Sequence, residues 1–293
     1  MPHFGIDKDY YLNTNLVKAN QLAIQNLCKE SDGPILILPR PLGGSVQHYY
    51  HFTFDLMLPL SMVLHNTSPK IIFSLRHFGP LTPILLKSFG ERVRIHTSDR
   101  LAPNEKQVEL VGINPDEIYQ NKIDFSMLTE TIFKNLKIQK CEIPNKILLI
   151  QRSAPDPFYL NEAKLKGSGS SRRSIQNHKE LEKLIRSKTN SSYEFHNLIL
   201  EEISFEDQIK YFNSAVLVIG QHGAGLANLI WMNKGMNVVE FGFRSKKHFE
   251  KISIAMNHNY FEYGSIEPHQ TINCTEFTNF LDENESINMF FNN

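Results

Sequence analysis

The stretch Val216–Gly242 constrains the fold of this chain more than any other. It begins with a short apolar, largely β-branched run, passes through a glycine-rich turn, and ends in a second apolar run that Glu240 follows. Between the runs, Leu226, Leu229 and Ile230 recur at helical spacing. Short apolar runs of this kind predict buried strands. We therefore expect a strand–turn–helix–strand unit from the parallel sheet of an α/β fold.

The turn between the two strands predicts an anion site. It contains Gly220, Gln221, His222, Gly223 and Gly225. The free N–H groups and the positive end of a helix that starts at such a turn suit a phosphate. The spacing fits neither a dinucleotide fingerprint nor a P-loop. Glycines that only permit positive φ are the alternative, but His222 and Glu240 lie where open α/β sheets bind ligands.

Composition narrows the class of protein. The chain has 293 residues, with 31 basic and 31 acidic side chains, which suits two domains and argues against nucleic acid as the main partner. The three widely spaced cysteines indicate a reducing compartment and no structural zinc site. The absence of a signal peptide and of a transmembrane segment predicts a cytoplasmic protein, and the Asn, Lys and Ile richness suggests a microbial or viral origin.

Strand and helix patterns alternate on both sides of Pro144-Asn145. This rhythm predicts an N-terminal α/β domain over residues 1–144 and a second α/β domain over residues 145–264. The tail, residues 265–293, has helical spacing of its apolar residues.

The N-terminal half contains a candidate general base. A period of 3.6 places His48, His51, Asp55 and Leu58 on one stripe of a helix. His51 and Asp55 form an i, i+4 pair, in which a carboxylate can orient an imidazole for proton abstraction from a hydroxyl. The alternative is a pair of satisfied polar residues on an aromatic helix.

Arginines follow a predicted strand of the second domain. Arg152 comes directly after the strand at Lys146–Ile150, and a Ser-, Gly- and Pro-rich segment, predicted to be a mobile loop, carries Arg172 and Arg173. Guanidinium groups suit a diphosphate because they bind phosphate oxygens in a fork and keep their charge. A solvated basic loop is the alternative for Arg172 and Arg173. Asn177 is predicted to cap the helix that follows.

These motifs resemble glycosyltransferase family 61. The segments GQHGAGLANLIWM and NVVEFG look like the family's C-terminal motif, with its H-G-A-G-L turn, a following Asn at Asn228, and a Glu ending the next strand at Glu240. In the N-terminal half, the segment Tyr49-Tyr50-His51 with Asp55 is similar to a family segment, although His48 stands where Asn is more common. Arg152, Arg173 and Asn177 match the family's paired-arginine pattern.

The resemblance implies a GT-B fold, in which two Rossmann-like domains face each other across a cleft and the C-terminal tail crosses back. It implies an inverting, metal-independent transfer of a sugar, of the xylose or N-acetylglucosamine class, from a UDP-sugar to a hydroxyl of a glycan or glycoconjugate. No cofactor is expected beyond the UDP-sugar co-substrate. The implied donor-binding residues are Arg152, Arg173, Asn177, Gln221, His222, Gly223, Ala224, Gly225, Asn228 and Glu240. The base would be Asp55 or His51, or His51 oriented by Asp55.

Two other functions stay open at this point. A Rossmann oxidoreductase acting on nucleotide sugars would need its glycine-rich turn after the first strand of the domain, whereas here the turn follows a late strand. A non-catalytic carbohydrate- or partner-binding module could keep the fold without the chemistry. A D-x-D pair, Asp7 and Asp9, does not follow a strand, and so we expect no metal role for it.

Overall fold

The computed structural model describes residues 35–41, 45–98, 106–113, 123–154, 169–242 and 247–291, together with the single residues 26, 118 and 157. The D-x-D pair at Asp7 and Asp9 lies outside these ranges. The chain divides into two compact units, unit 1 (Met1–Leu136) and unit 2 (Lys137–Asn293). The sequence patterns had placed a domain boundary at 144/145, eight residues further along.

Unit 1 is built on a parallel four-stranded sheet in the order β3-β2-β1-β4. Its strands are β1 (Ile35–Arg40), β2 (Phe73–Leu75), β3 (Val93–Ile95) and β4 (Lys106–Val111). Its helical segments are Tyr49–His51, Phe52–Met57, Leu58–His65, Gly79–Leu81, Thr82–Phe89, Gly90–Arg92 and Ser126–Leu136. On the central strand β1, Leu36 and Ile37 point to opposite faces of the sheet and both are buried, as expected of a parallel sheet that is covered on both faces.

The helix after β1 contains a π-helical segment, which the sequence pattern did not indicate. Over Phe52–Met57 every residue is buried, and the N–H of Leu58 donates to the carbonyl of Thr53, five residues back. The predicted stripe with a period of 3.6 therefore does not describe this helix. Segments of π-helix inside α-helices are frequent at functional sites.

Unit 2 is built on a parallel five-stranded sheet in the order β10-β9-β8-β5-β7. Its strands are β5 (Lys146–Gln151), β7 (Glu194–Ile199), β8 (Ala215–Gln221), β9 (Asn237–Phe241) and β10 (Asn259–Tyr263). Counted from β5 as the first strand, this is the doubly wound order 2-1-3-4-5. Such sheets bind ligands at the carboxyl ends of the strands where the order reverses, here between β5 and β8.

The remaining elements of unit 2 surround this sheet. They are the helices Gly169–Arg172, His178–Lys188, Phe205–Asn213, His248–Ala255, Cys274–Glu283 and Glu285–Asn288, and the 3₁₀ segments Leu200–Glu202 and Ala224–Trp231. The S-x-x-D pattern of Ser204 and Asp207 predicts a helix cap. This prediction is confirmed, because the hydroxyl of Ser204 accepts the N–H of Asp207. Tail residues Phe277 and Leu281 belong to the same hydrophobic core as Phe241 of β9.

A second, two-stranded parallel sheet pairs β6 (Ser174–Ile175) with β11 (His269–Gln270). The segment predicted to be a mobile loop around Arg172 and Arg173 is thus ordered from Gly169 onward by a short helix and this strand pair. In the described part of the chain, no helix is long and apolar enough to span a membrane.

Candidate functional site

The carboxyl ends of β5 and β8 bring Arg152 to the glycine-rich turn. The two strands are neighbours, with Ile150 opposite Gly220. From the end of β5 the Arg152 guanidinium reaches the turn, and its Nη1 donates to the carbonyl oxygen of His222 at 3.1 Å. Its Nε and Nη2 both donate to the carbonyl oxygen of Gly169, at 3.2 and 3.1 Å. The sequence-predicted arginine and turn therefore meet at the reversal point of the sheet.

A second guanidinium converges on the same carbonyl. Arg173 Nη1 donates to the His222 oxygen at 3.4 Å. Burial, together with the like charge of Arg173, lowers the pKa of Arg152 to about 10. Burial and the charge of Arg172 lower the pKa of Arg173 as well. Both pKa values are lowered because the site is partly shielded from water and positive charges lie close together in it. A bound anion would stabilise the charged form of both arginines.

The turn needs glycine because other groups approach its backbone closely. A Cβ on Gly223 would overlap Nη1 of Arg152, and a Cβ on Gly225 would lie 2.7 Å from Cδ1 of Leu200. Neither residue lies in the left-handed region, and Gly223 is extended, with a φ of 171°. The interpretation that these glycines only permit positive φ is therefore wrong for this turn. Gly223 instead makes room for the arginine.

The segment after the turn is a 3₁₀ helix, Ala224–Trp231, in place of the expected α-helix. Ala224 and Gly225 lie in its first turn, where N–H groups have no partner within the helix. Asn228 is fully buried and ties the segment together: its amide donates to the carbonyl of Gly225, and its oxygen accepts the indole N–H of Trp231. Asn228 therefore stabilises the backbone that follows the turn, and its side chain is occupied by protein groups.

Two largely buried hydrogen bonds connect side chains from the end of β8, from β9 and from β10. His222 Nδ1 lies 2.5 Å from Oε1 of Glu240, and the hydroxyl of Tyr260 donates to Oε2 of Glu240 at 2.5 Å. The side chains of His222 and Glu240 are 9% and 4% exposed. Ribose hydroxyls would have to share the Glu240 oxygens with both protein donors. Sequence reasoning had singled out His222 and Glu240 but missed Tyr260, whose one signal was the short aromatic run at residues 260–263, which is typical of a strand.

Gln221 and Asn177 connect the turn region to the tail. Gln221 Nε2 donates to the carbonyl of Pro268 at 3.0 Å, while its buried Oε1 has no partner among the described atoms. Asn177 occupies the N-cap position of His178–Lys188, but its side chain makes no capping bond. Its amide instead donates to the carbonyl of Ile272 and its oxygen accepts the N–H of Ile272, at 2.8 and 2.9 Å.

In unit 1 the structure brings His51 and Asp55 together. Nδ1 of His51 lies 2.7 Å from Oδ2 of Asp55, and the two side chains are 23% and 4% exposed. The imidazole can thus be oriented by a nearly buried carboxylate while part of its surface stays accessible, which is the arrangement that a general base requires.

The surroundings of Asp55 come from the end of β4, next to β1 in the sheet. A Cβ on Gly112, which follows β4, would overlap Oδ1 of Asp55. The N–H of Gly112 donates to the carbonyl of Arg40 at the end of β1. Burial and the Asp55 charge raise the pKa of Tyr50. Sequence reasoning missed Gly112, because the sequence does not show which side chain lies against a glycine.

Among the described side chains, no cluster of three His, Cys, Asp or Glu residues is arranged to hold a metal ion. A comparison with protein families matches residues 49–239, well over half of the 293-residue chain, to the family described as Glycosyltransferase 61. A search of curated proteins finds no match to the chain.

Proposed function

We infer the reaction from the family to which this chain belongs, glycosyltransferase family 61. The protein is a glycosyltransferase, and it therefore takes a sugar donor and a glycan acceptor. This membership favours transfer over both alternatives, a Rossmann oxidoreductase and a non-catalytic binding module.

We propose that the donor is a UDP-sugar and that unit 2 binds its diphosphate. One observation carries this proposal: Arg152 is a partly buried cation whose hydrogen-bond partners, within the described residues, are carbonyl oxygens. A buried charge is costly unless an opposite charge compensates it. The positive charge of Arg173 adds to that of Arg152, and the carboxylate of Glu201 offsets only part of it, since the pKa of Arg152 is still lowered. A diphosphate would supply the missing negative charge through bidentate hydrogen bonds.

The proposed contacts extend along the turn. The N–H groups of Gly223, Ala224 and Gly225, at the start of the 3₁₀ helix, would donate hydrogen bonds to phosphate oxygens. His222 would donate a further hydrogen bond to a phosphate. We propose that these groups stabilise the charge that develops on the leaving diphosphate, so that transfer proceeds without a metal ion.

We propose that transfer inverts the anomeric carbon, with one base removing the proton of the attacking hydroxyl. His51 oriented by Asp55 is the version that the 2.7 Å pair supports best, since His51 keeps the more accessible side chain. Asp55 acting directly is the other version. The transferred sugar is proposed to be of the xylose or N-acetylglucosamine class.

The diphosphate site is tested by calorimetry with UDP. Arg152→Ala should weaken UDP binding by about 10- to 100-fold, because hydrogen bonds to charged groups contribute roughly 1.5–3 kcal/mol. Arg186→Ala is the matched control, since it removes the same charge from a largely exposed helix position in unit 2. Undiminished UDP affinity in Arg152→Ala would remove this residue from the donor site.

The base is tested by separating turnover from binding. His51→Ala and Asp55→Asn should lower kcat by about 100-fold or more while UDP affinity changes little, because general base catalysis typically contributes 10²–10⁴-fold. The measurement is UDP release with a panel of UDP-sugars and glycan acceptors, beside calorimetry on the same variants. A loss of UDP affinity as large as the loss of kcat would contradict the assignment.

A further inference from the structure

Glu240 lies on the face of β9 that points away from the tail helices. Its neighbours Val239 and Phe241 belong to the core that contains Phe277, so alternation along the strand directs Glu240 to the opposite face. On β10, Glu262 stands opposite Glu240 and Tyr260 opposite Val238. Tyr260 is thus a diagonal neighbour of Glu240 on the same face, within reach of a long side chain.

The carboxylate of Glu240 is held from both sides. One oxygen faces Nδ1 of His222 and the other accepts the hydroxyl of Tyr260. The hydroxyl stays protonated, because burial and the charge of Glu240 raise the pKa of Tyr260. A carboxylate with two such partners cannot rotate without breaking a hydrogen bond in a buried place, and this is costly.

The geometry points to Tyr260 as a positioning residue for sugar transfer: its hydroxyl fixes the Glu240 carboxylate, which in turn holds the His222 imidazole against the diphosphate. This inference rests on the proposed function. It assigns to Glu240 the orientation of His222 in place of a contact with ribose. Tyr260 lies beyond residues 49–239, the part of the chain that the family comparison matches.

His222 is held firmly on its other sides as well. Its ring packs edge-on against Phe249 at 5.1 Å, and its backbone N–H donates to the carbonyl of Phe241. Its carbonyl accepts both guanidinium groups, from Arg152 and Arg173. With Nδ1 committed to Glu240, the imidazole edge that carries Nε2 is the one to meet the leaving diphosphate. An imidazole with a proton on each nitrogen would donate Nε2–H to a phosphate oxygen and Nδ1–H to the carboxylate of Glu240.

The test compares Tyr260→Phe with Tyr263→Phe. The control removes a hydroxyl from the same strand, but Tyr263 points to the other face, where its ring packs against Phe277 and Phe280. We expect Tyr260→Phe to lower kcat by about tenfold with a smaller change in KM for the donor, because the contact acts on charge that develops in the transition state. Tyr263→Phe should retain the unmodified kcat. Glu240→Gln combined with Tyr260→Phe should cost little more than Glu240→Gln alone, because both changes act through one chain of contacts.

A measurement independent of turnover keeps the inference separate from the proposed function. In protein labelled with ¹⁵N-histidine, the His222 signals, assigned with His222→Gln, should report protonated Nδ1, and Tyr260→Phe should shift them while Tyr263→Phe does not. Normal melting of Tyr260→Phe would show that the fold is intact. If the unmodified chain transfers sugar and Tyr260→Phe matches Tyr263→Phe in kcat and in the His222 signals, the inference is overturned. If no UDP-sugar supports transfer but the His222 signals shift as expected, the proposed function fails and the positioning of His222 by Tyr260 stands.

Discussion

At the scale of single residues, the site depends on where side chains are absent. Gly223 leaves space for the Arg152 guanidinium, and Gly112 leaves space for the Asp55 carboxylate. Each glycine follows a strand at the carboxyl edge of its sheet and lies against a charged group that comes from another part of the chain. In both cases the reason for glycine is the volume of a neighbour, because neither residue adopts the left-handed backbone conformation that favours glycine.

This reasoning predicts the effect of Gly223→Ala. The new methyl group would displace Arg152, because the clash is with its Nη1 atom. We expect UDP affinity, measured by calorimetry, to fall by about tenfold, in the range of a lost charge-assisted hydrogen bond. The double variant Gly223→Ala/Arg152→Ala should bind no more weakly than Arg152→Ala alone. Additive losses would show that the turn itself, and not the arginine, was disturbed.

At the scale of elements, the two-stranded sheet explains how Arg173 is held near the turn. Arg173 directly precedes β6, and the N–H of Ser174 donates to the carbonyl of Pro268, just before β11. Two residues after β6, the side chain of Asn177 forms hydrogen bonds with both the carbonyl and the N–H of Ile272. The tail thus supports the segment that carries the second guanidinium.

Asn177→Ala should therefore loosen this connection. Losing two hydrogen bonds to one backbone unit should lower the free energy of unfolding by about 1–3 kcal/mol. The amide of Ile272 should exchange faster with solvent, as measured by hydrogen exchange, and UDP binding should weaken less than in Arg152→Ala. Asn190→Ala is a suitable control, because it also truncates an asparagine of unit 2, but one whose side chain accepts the N–H of Ser192 and not a backbone group of Ile272. Unchanged exchange at Ile272 would contradict the role given to Asn177.

At the scale of the whole molecule, each unit follows the same design. In unit 1 the order β3-β2-β1-β4 reverses between β1 and β4, and Asp55 lies against Gly112 at the end of β4. In unit 2 the order reverses between β5 and β8, where Arg152 meets the turn. Chemically useful groups gather there because adjacent parallel strands end side by side while their connections leave in opposite directions.

A buried histidine makes the stability of unit 2 depend on pH. His258 accepts the N–H of Met236 at Nδ1, its Nε2 faces the carbonyl of Leu229, and burial lowers its pKa to about 4. The unfolded chain takes up a proton near pH 6.5, whereas the folded state resists protonation until about pH 4. Stability is therefore full above pH 6.5 and falls as the pH drops toward 4, by on the order of 3 kcal/mol at most.

Urea unfolding followed by fluorescence checks this prediction, because the single tryptophan, Trp231, lies buried in unit 2. Between pH 7 and 4 the free energy of unfolding should fall less steeply in His258→Gln than in the unmodified chain. Burial lowers the pKa of His178 too, so part of the slope should remain. The lowered pKa values of Glu194 and Asp207 add to the fall only at the acid end of this window, below about pH 5, because the unfolded carboxyl groups begin to bind protons there. An equally steep fall in His258→Gln would contradict the assignment.

Local pattern alone was enough to predict the strand at residues 146–150, the strands on either side of the glycine-rich turn, the cap at Ser204, and the pair of His51 and Asp55. These features depend on neighbours in the sequence: apolar runs, turn residues and i, i+4 spacing are all local. The family resemblance likewise depends on short motifs, and the family comparison confirms it.

Tertiary structure alone decided what these residues touch. It joined Tyr260 to Glu240, laid Arg152 over Gly223, tied Asn177 to Ile272, and turned part of the helix after β1 into a π-helical segment. The sequence by itself could not predict these contacts, because the partners are far apart in the chain. Tyr260 and Glu240 are 20 positions apart, and Asn177 and Ile272 are 95 positions apart. Such pairs meet only once the order of the strands is settled, and that order results from packing of the whole sheet.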